Sequence, residues 1–169
     1  DGSSSIITEY DTKEATHVYA EPGRHVVRIM GDIKGFGYAT FQSIPSYEDL
    51  PDRGQTQLVD IVQWGTLLLV NTGHYFRGCK QLVISARDAP NLTHISNLEY
   101  MFAGADSLNS RLDHWNISAV TNTSCMFYKA SSFNQALNNW NMSAVTNTSC
   151  MFSGASSFNQ ALNNWNMSA

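Results

Sequence analysis

The chain has 169 residues, of which 43% are hydrophobic and only 14% charged, and its formal net charge is −4. This is enough apolar side chain to form one or two compact units without disulfide bonds. The acidic balance excludes nucleic acid as a partner, because the chain has no basic field to hold phosphates. The longest uncharged apolar run, residues 67–70, is too short to cross a bilayer, so we expect no membrane insertion within these residues.

The first 45 residues predict a β-rich segment. Two runs rich in β-branched and aromatic residues, at 17–19 and 26–29, flank Pro22-Gly23 and predict two strands joined by a tight turn. The stretch HVYAEPGRHVVRIMG resembles the closing hairpin of a polycystic-kidney-disease-like, immunoglobulin-type module, which implies a partial module of that type over 1–45. Residues 46–74, which include Pro51 and Gly54, predict a connecting or capping segment.

Internal repeats dominate the rest of the chain. Residues 131–144 (SSFNQALNNWNMSA) recur without change at 156–169, and the pattern can be followed upstream to residue 75. We predict an array of four units, 75–101, 102–126, 127–151 and a partial 152–169, in which each unit buries its apolar face against its neighbours. The chain begins with Asp1 rather than Met, and Ala169 lies inside the repeated pattern, so we expect a piece of a longer polypeptide.

Within one unit the apolar spacing predicts two short elements. Val120, Thr123, Phe127 and Ala130 have the spacing of one helix face, which predicts a helix of two or three turns. Residues 133–137 predict a short strand. Stacking of the units in register predicts interior columns of large side chains: Trp115, Trp140 and Trp165; Phe102, Phe127 and Phe152; Leu82, Leu108, Phe133 and Phe158; and Ala86, Leu112, Leu137 and Leu162.

The pattern W-N-x-S-x-V-T-N-x-S-x-M-F-x-x-A-S-S-F-N-Q-x-L, at 115–137 and 140–162, resembles the BspA-like bacterial surface-protein repeat, a relative of leucine-rich repeats. This resemblance implies an α+β solenoid of 25-residue strand and short-helix units. It also implies an extracellular or cell-surface location and a protein or extended matrix partner. Thr123 and Thr148 stand where that family usually carries Met, which predicts shallower packing at these two positions and a backbone carbonyl as partner for each hydroxyl.

Residue patterns for catalysis or cofactor binding are missing from the sequence. There is no C-x-x-C or H-E-x-x-H spacing, and the five histidines are scattered at 17, 25, 74, 94 and 114, so we expect no metal, cofactor or catalytic residue. Asp106 and Asp113 are too weak an indication of a glycosidase pair, since the next unit carries Ser and Asn at these positions. The sequence therefore predicts a non-enzymatic protein.

Cys125 and Cys150 occupy equivalent places in adjacent units. Neighbouring strands lie about 4.8 Å apart, so these residues form either a disulfide or a ladder of two buried thiols, and the ladder is the preferred interpretation. Six N-x-S/T sequons, which are glycosylation sites if the source has the eukaryotic machinery, lie at Asn91, Asn116, Asn122, Asn141, Asn147 and Asn166.

From His114 to the end, Lys129 is the only charged residue. An uncharged surface does little to repel another copy of itself, so self-association into a coat, fibre or appendage is the alternative to adhesion. Tyr128 and Lys129 are the candidate partner contacts, because Ser153 and Gly154 replace them in the next unit.

Overall fold

A computed structural model describes residues 58–166. The β-rich segment predicted over 1–45 and residues 46–57 of the predicted connecting segment lie outside the described residues. Within the described part, the regular elements are two short parallel strands, β1 (Asp60–Ile61) and β2 (Val83–Ile84), with Asp60 opposite Val83 and Ile61 opposite Ile84. Isolated parallel bridges continue this pairing along the chain, at Leu68–Asn91, Asn97–Asn122 and Asn122–Asn147.

Backbone hydrogen bonds join each unit to the next, most of them between residues 24 to 26 positions apart. The N–H of Phe102 donates to the carbonyl of Met126 at 2.9 Å, and the N–H of Phe127 donates to Met151 at the same distance. Because equivalent residues of neighbouring units face each other, side chains of the same type fall into columns.

Stacked aromatic rings fill the interior of these columns. Phe76, Phe102 and Phe127 are almost completely buried, and their ring centroids are separated by 5.8 Å at each step. The step from Phe127 to Phe152 is 5.6 Å. Phe133 and Phe158 stack at 6.0 Å with nearly parallel rings. The other column residues that are buried are Leu82, Ala86, Leu108, Leu112, Trp115, Leu137 and Trp140, whereas Phe152, Phe158, Leu162 and Trp165 are half-buried.

The helix predicted over residues 120–130 is wrong: these residues form successive turns, and no helix occurs between residues 58 and 166. The N–H groups of Thr123, Cys125, Phe127 and Lys129 donate to carbonyls of the following unit. Between them, the N–H groups of Met126 and Tyr128 donate to carbonyls three residues earlier, and the N–H of Ser124 donates to the Asn122 side chain. An α-helix needs every N–H to bond four residues back, so this alternation excludes it. The helix-like spacing of apolar residues comes from turns that bury the same side repeatedly.

The strand predicted over residues 133–137 does not form. Side-chain hydrogen bonds hold this irregular segment in place instead. The Asn109 side-chain oxygen accepts from the Asn134 backbone N–H at 2.9 Å and from the Gln135 amide at 3.0 Å. In the next unit, the Asn134 side chain binds Asn159 and Gln160 in the same way. Amide side chains therefore take the place of backbone pairing here.

The packing of Thr123 differs from the shallow packing expected from the sequence. Its side chain is completely buried rather than shallowly packed, and its hydroxyl donates to the Asn147 carbonyl at 3.3 Å. The backbone carbonyl of the next unit thus satisfies the hydroxyl, which removes the main cost of burying it. Thr148 is half-buried.

Candidate functional site

Four corner segments, 74–78, 100–104, 125–129 and 150–154, lie beside one another in the stack. The first residue of each has a positive φ, between 52° and 61°, although none is glycine: His74, Tyr100, Cys125 and Cys150. The last residue also has a positive φ, between 55° and 80°: Gly78, Gly104, Lys129 and Gly154. A phenylalanine at the centre of each segment, buried in the first three and half-buried in the fourth, fixes the turn to the core. We call the side chains on these segments that reach solvent the corner edge.

The corner edge carries most of the difference between the two nearly identical units, where Tyr128-Lys129 is replaced by Ser153-Gly154. Left-handed backbone disfavours L-residues with a Cβ, yet the first position carries His, Tyr and twice Cys. The hydrogen bonds that hold the turn explain how it persists: Tyr100 N–H donates to the Ser124 carbonyl at 3.0 Å, and Cys125 N–H donates to Ser149 at 2.8 Å. Backbone strain that surrounding contacts hold in place is common at functional positions.

His74 and Tyr100 form the first cluster on this edge, together with Arg77, which is buried against the Tyr100 ring. The His74 and Tyr100 rings stack with centroids 5.0 Å apart, and the Arg77 guanidinium carbon lies 4.7 Å from the Tyr100 centroid. Burial, together with the nearby Arg77 charge, lowers the pKa of His74 to about 4. His74 is therefore neutral at pH 7 and stacks as an uncharged ring.

Tyr100 links this cluster to the cysteines. Its hydrogen bond with the Cys125 thiol, together with burial, raises the pKa of Tyr100 to about 12. The phenol is therefore protonated at neutral pH and donates to sulfur. His74, Arg77 and Tyr100 were not among the site residues predicted from the sequence. Their register was the available signal, because His74 precedes Phe76 by two residues as Cys125 precedes Phe127.

Tyr128 and Lys129, the predicted partner contacts, form the second cluster. Tyr128 is half-buried and Lys129 is exposed, and the Lys129 ammonium lies 5.4 Å from the Tyr128 ring centroid. Lys129 also packs on the following unit, since a Cβ built on Gly154 would lie 3.0 Å from the Lys129 Cγ. Glycine at 154 therefore leaves room for the lysine side chain.

The three cysteines are unbonded and differ in exposure. Cys79 is buried, Cys125 is half-buried and Cys150 is exposed. Burial raises the pKa of the Cys79 thiol to about 12. Burial also raises the pKa of Cys125, an effect that the hydrogen bond from Tyr100 opposes and that the Cys150 thiol reinforces. Only Cys79 is fully buried, so Cys125 and Cys150 do not form the ladder of buried thiols that the sequence favoured.

The sequon asparagines make local turns. In five of them the side-chain oxygen accepts the backbone N–H two residues ahead, at 3.0–3.2 Å: Asn91, Asn116, Asn122, Asn141 and Asn147. This is the Asx-turn pattern, which explains the repeated N-x-S/T spacing by backbone geometry. Asn91, Asn116, Asn141 and Asn166 are exposed, whereas Asn122 and Asn147 are half-buried and lie in the parallel bridges.

The acidic residues considered in the sequence lie apart from the corner edge. Asp113 pairs with Arg111, at 2.5 and 2.9 Å between oxygen and nitrogen, and this pairing lowers the Asp113 pKa. The backbone carbonyl of Asp106 accepts from Ser132 N–H. Within residues 58–166, no group of three or more His, Cys, Asp or Glu side chains has the arrangement of a metal site. The same residues contain no helix long and apolar enough to span a membrane.

Comparison with known proteins identifies one family. The model of the family described as "Mycoplasma protein of unknown function, DUF285" matches residues 70–169, which is more than half of the chain and includes all four corner segments. No curated protein and no solved structure matches the chain. The chain therefore belongs to the DUF285 family.

Proposed function

We propose that this chain is a non-enzymatic extracellular or cell-surface protein that binds an extended protein or matrix partner through its corner edge. One observation carries the proposal: Tyr128 and Lys129 place an aromatic and a cationic side chain on this edge, at two adjacent positions where two otherwise nearly identical units differ. Tyr, Trp and Arg are the residue types enriched at binding hot spots. Residues 125–129 add the one charged side chain found after His114.

The shape of the stack also favours an extended partner. A solenoid related to the BspA-like and leucine-rich repeats presents a long shallow flank, which suits extended polymers and poorly encloses small substrates. The hydrogen bonds between residues 24 to 26 positions apart and the stacked phenylalanines support this architecture.

The test uses the repeat itself as the source of a conservative variant. Tyr128→Ser combined with Lys129→Gly copies Ser153-Gly154 of the next unit and makes the two corners alike in sequence. We expect an unchanged or higher melting temperature, together with at least about tenfold weaker binding to immobilised fibronectin or fibrillar collagen, measured by biolayer interferometry. Serum albumin is the compact control surface. Equal binding by the variant and the natural chain, or binding by neither to the matrix proteins, would contradict the proposal.

A second candidate function, self-association into a coat or fibre, is favoured by the composition of the repeated region, where Lys129 is the only charged residue after His114. A surface with so little charge does little to repel another copy of itself. Light scattering over a range of protein concentrations tests this candidate, since a mass that stays monomeric at high concentration excludes it.

A further inference from the structure

Cys125 and Cys150 are brought together by the stacking of their units. Both are the first residue of a corner segment, with φ values of 52° and 54°. The Cys125 N–H donates to the Ser149 carbonyl at 2.8 Å, and Asn122 pairs with Asn147 in parallel register just before them. The two backbones therefore run side by side in the same conformation, and their side chains leave in the same direction.

Direct contacts in this column support that geometry. One step earlier, the side chains of His74 and Tyr100 at the same position are in ring contact at 5.0 Å. The neighbouring Cys150 thiol also contributes to the raised pKa of Cys125. Paired strands lie about 4.8 Å apart, which is inside the Cα separation of about 4.4–6.8 Å that disulfides adopt.

We propose that Cys125 and Cys150 form a reversible disulfide that ties two adjacent units together. The inference rests on the proposed function for the extracellular compartment, where low-molecular-weight disulfides serve as oxidants. The proposed disulfide does not include Cys79, which is buried and has no cysteine among its partners in the described residues.

The reaction proceeds by thiol–disulfide exchange in two steps. The thiolate of the exposed Cys150 attacks a small disulfide RSSR, which forms a mixed disulfide and releases one small thiol. The Cys125 sulfur, after losing its proton, then attacks the Cys150 sulfur and releases the second small thiol. In total, two protein thiols and one RSSR give one protein disulfide and two RSH, so the oxidant accepts both electrons and both protons.

The disulfide would act on the proposed binding edge as well as on stability. The closed loop includes Tyr128 and Lys129, which lie between the two cysteines in the chain. Cross-linking reduces the entropy of the unfolded chain, so the oxidised form should melt at least about 4 °C higher than the reduced form.

Trypsin allows a test on the natural chain, because it places each cysteine in a different peptide: 78–80 for Cys79, 112–129 for Cys125 and 130–169 for Cys150. After incubation with oxidised glutathione, we expect peptide 112–129 linked to 130–169 and an intact mass lower by two hydrogen atoms. Dithiothreitol should reverse both changes. Glutathione adducts without ring closure, links to peptide 78–80, or links between two chains would overturn the proposal.

Variants supply the matched control. Cys150→Ser should eliminate the link, and Cys125→Ser should leave a stable glutathione adduct on Cys150, whereas Cys79→Ser should close as the natural chain does. A gain in melting temperature on oxidation that survives Cys150→Ser would also contradict the proposal. These readouts require no binding partner, so their failure is distinguishable from failure of the proposed function.

Discussion

Two regions of the chain hold neighbouring coils together with partly different chemistry. In the leading region, residues 58–99, carboxylates supply two of the bridges: Asp88 accepts the backbone N–H groups of Trp64 and Gly65, and the Asp60 carboxylate accepts from Ser85. An amide, Asn71, supplies another by accepting the Ser96 N–H. In the repeated region, residues 100–166, neutral amides form the bridges, as when Asn134 binds Asn159. The carboxylate bridges of the leading region are therefore sensitive to pH, whereas the amide bridges are not.

Asp88 illustrates the difference. Desolvation raises its pKa, but the hydrogen bonds from Gly65 and Trp64 outweigh desolvation and hold the pKa below its ordinary value. An amide side chain at an equivalent bridge has no charge to titrate, and it can be copied from unit to unit without accumulating like charges along the stack. This accounts for the near absence of charge after His114 without reference to function.

The largest effect is expected where the repeated core is densest. Trp140→Ala should lower the free energy of unfolding by about 3–5 kcal/mol, because it removes a buried indole from the stack and leaves a cavity. Trp140 is 2% exposed and its N–H donates to the Leu112 carbonyl at 2.9 Å. Urea denaturation followed by circular dichroism measures the change. An unaltered midpoint would show that this tryptophan does not support the stack.

Removing a carboxylate bridge tests the leading region. Asp88→Ala should cost about 1.5–3 kcal/mol, because hydrogen bonds to a charged acceptor are lost at both Trp64 and Gly65. Asn138→Ala, which removes the single bond to Asn164 N–H in the repeated region, is the matched variant and should cost about 1 kcal/mol. If the two variants melt alike, the carboxylate contributes no more than an amide does.

A smaller effect separates two tryptophans of the same column. Trp140 donates its indole hydrogen bond, whereas the buried Trp115 N–H has no partner among residues 58–166. Trp140→Phe should therefore cost about 1 kcal/mol more than Trp115→Phe, since only the first change breaks a bond. Differential scanning calorimetry on both variants measures the difference, and equal costs would contradict this account.

The fold was predictable from the sequence to the extent that it follows from repetition. A period of 25 residues is enough to place Phe133 beside Phe158, whose rings stack at 6.0 Å, because stacking in register needs no knowledge of the local backbone. The local structure was not predictable in the same way. Turns that bury every third or fourth residue have the same apolar spacing as a helix, and only the hydrogen bonds to the next unit tell them apart.

The corner edge was predictable only in part, for a related reason. Comparing units picked out Tyr128 and Lys129, because adjacent units are otherwise nearly identical there. His74, Arg77 and Tyr100 come from units that differ at most positions, so comparing those units does not single out these three residues. Their association depends on left-handed backbone at His74 and Tyr100. This conformation is rarely predictable from sequence when the residue is not glycine.

Acid should weaken the leading region first. The folded pKa of His74, about 4, lies below its ordinary 6.5, so between these values the unfolded chain binds a proton that the folded chain excludes. The stability that neutral His74 contributes is therefore fully present above pH 6.5 and is lost as the pH falls toward 4. His74→Asn, which tolerates the left-handed backbone, should flatten melting temperature against pH in this window, and the exposed His94→Gln should not. A profile that His74→Asn leaves unchanged would assign the pH dependence elsewhere.

The smallest effect concerns the one corner of the four that ends without glycine. Lys129 has a φ of 55°, a position that is glycine in the other three corners. Left-handed backbone costs a residue with a Cβ about 1–2 kcal/mol, and the greater freedom of glycine in the unfolded chain offsets part of this. Lys129→Gly should therefore leave stability unchanged or raise it by up to about 1 kcal/mol in thermal melts. Gly154→Ala should destabilise, because its new Cβ would lie 3.0 Å from the Lys129 Cγ. A clear loss of stability in Lys129→Gly would mean that the lysine supports the fold, and its retention could then no longer be attributed to binding.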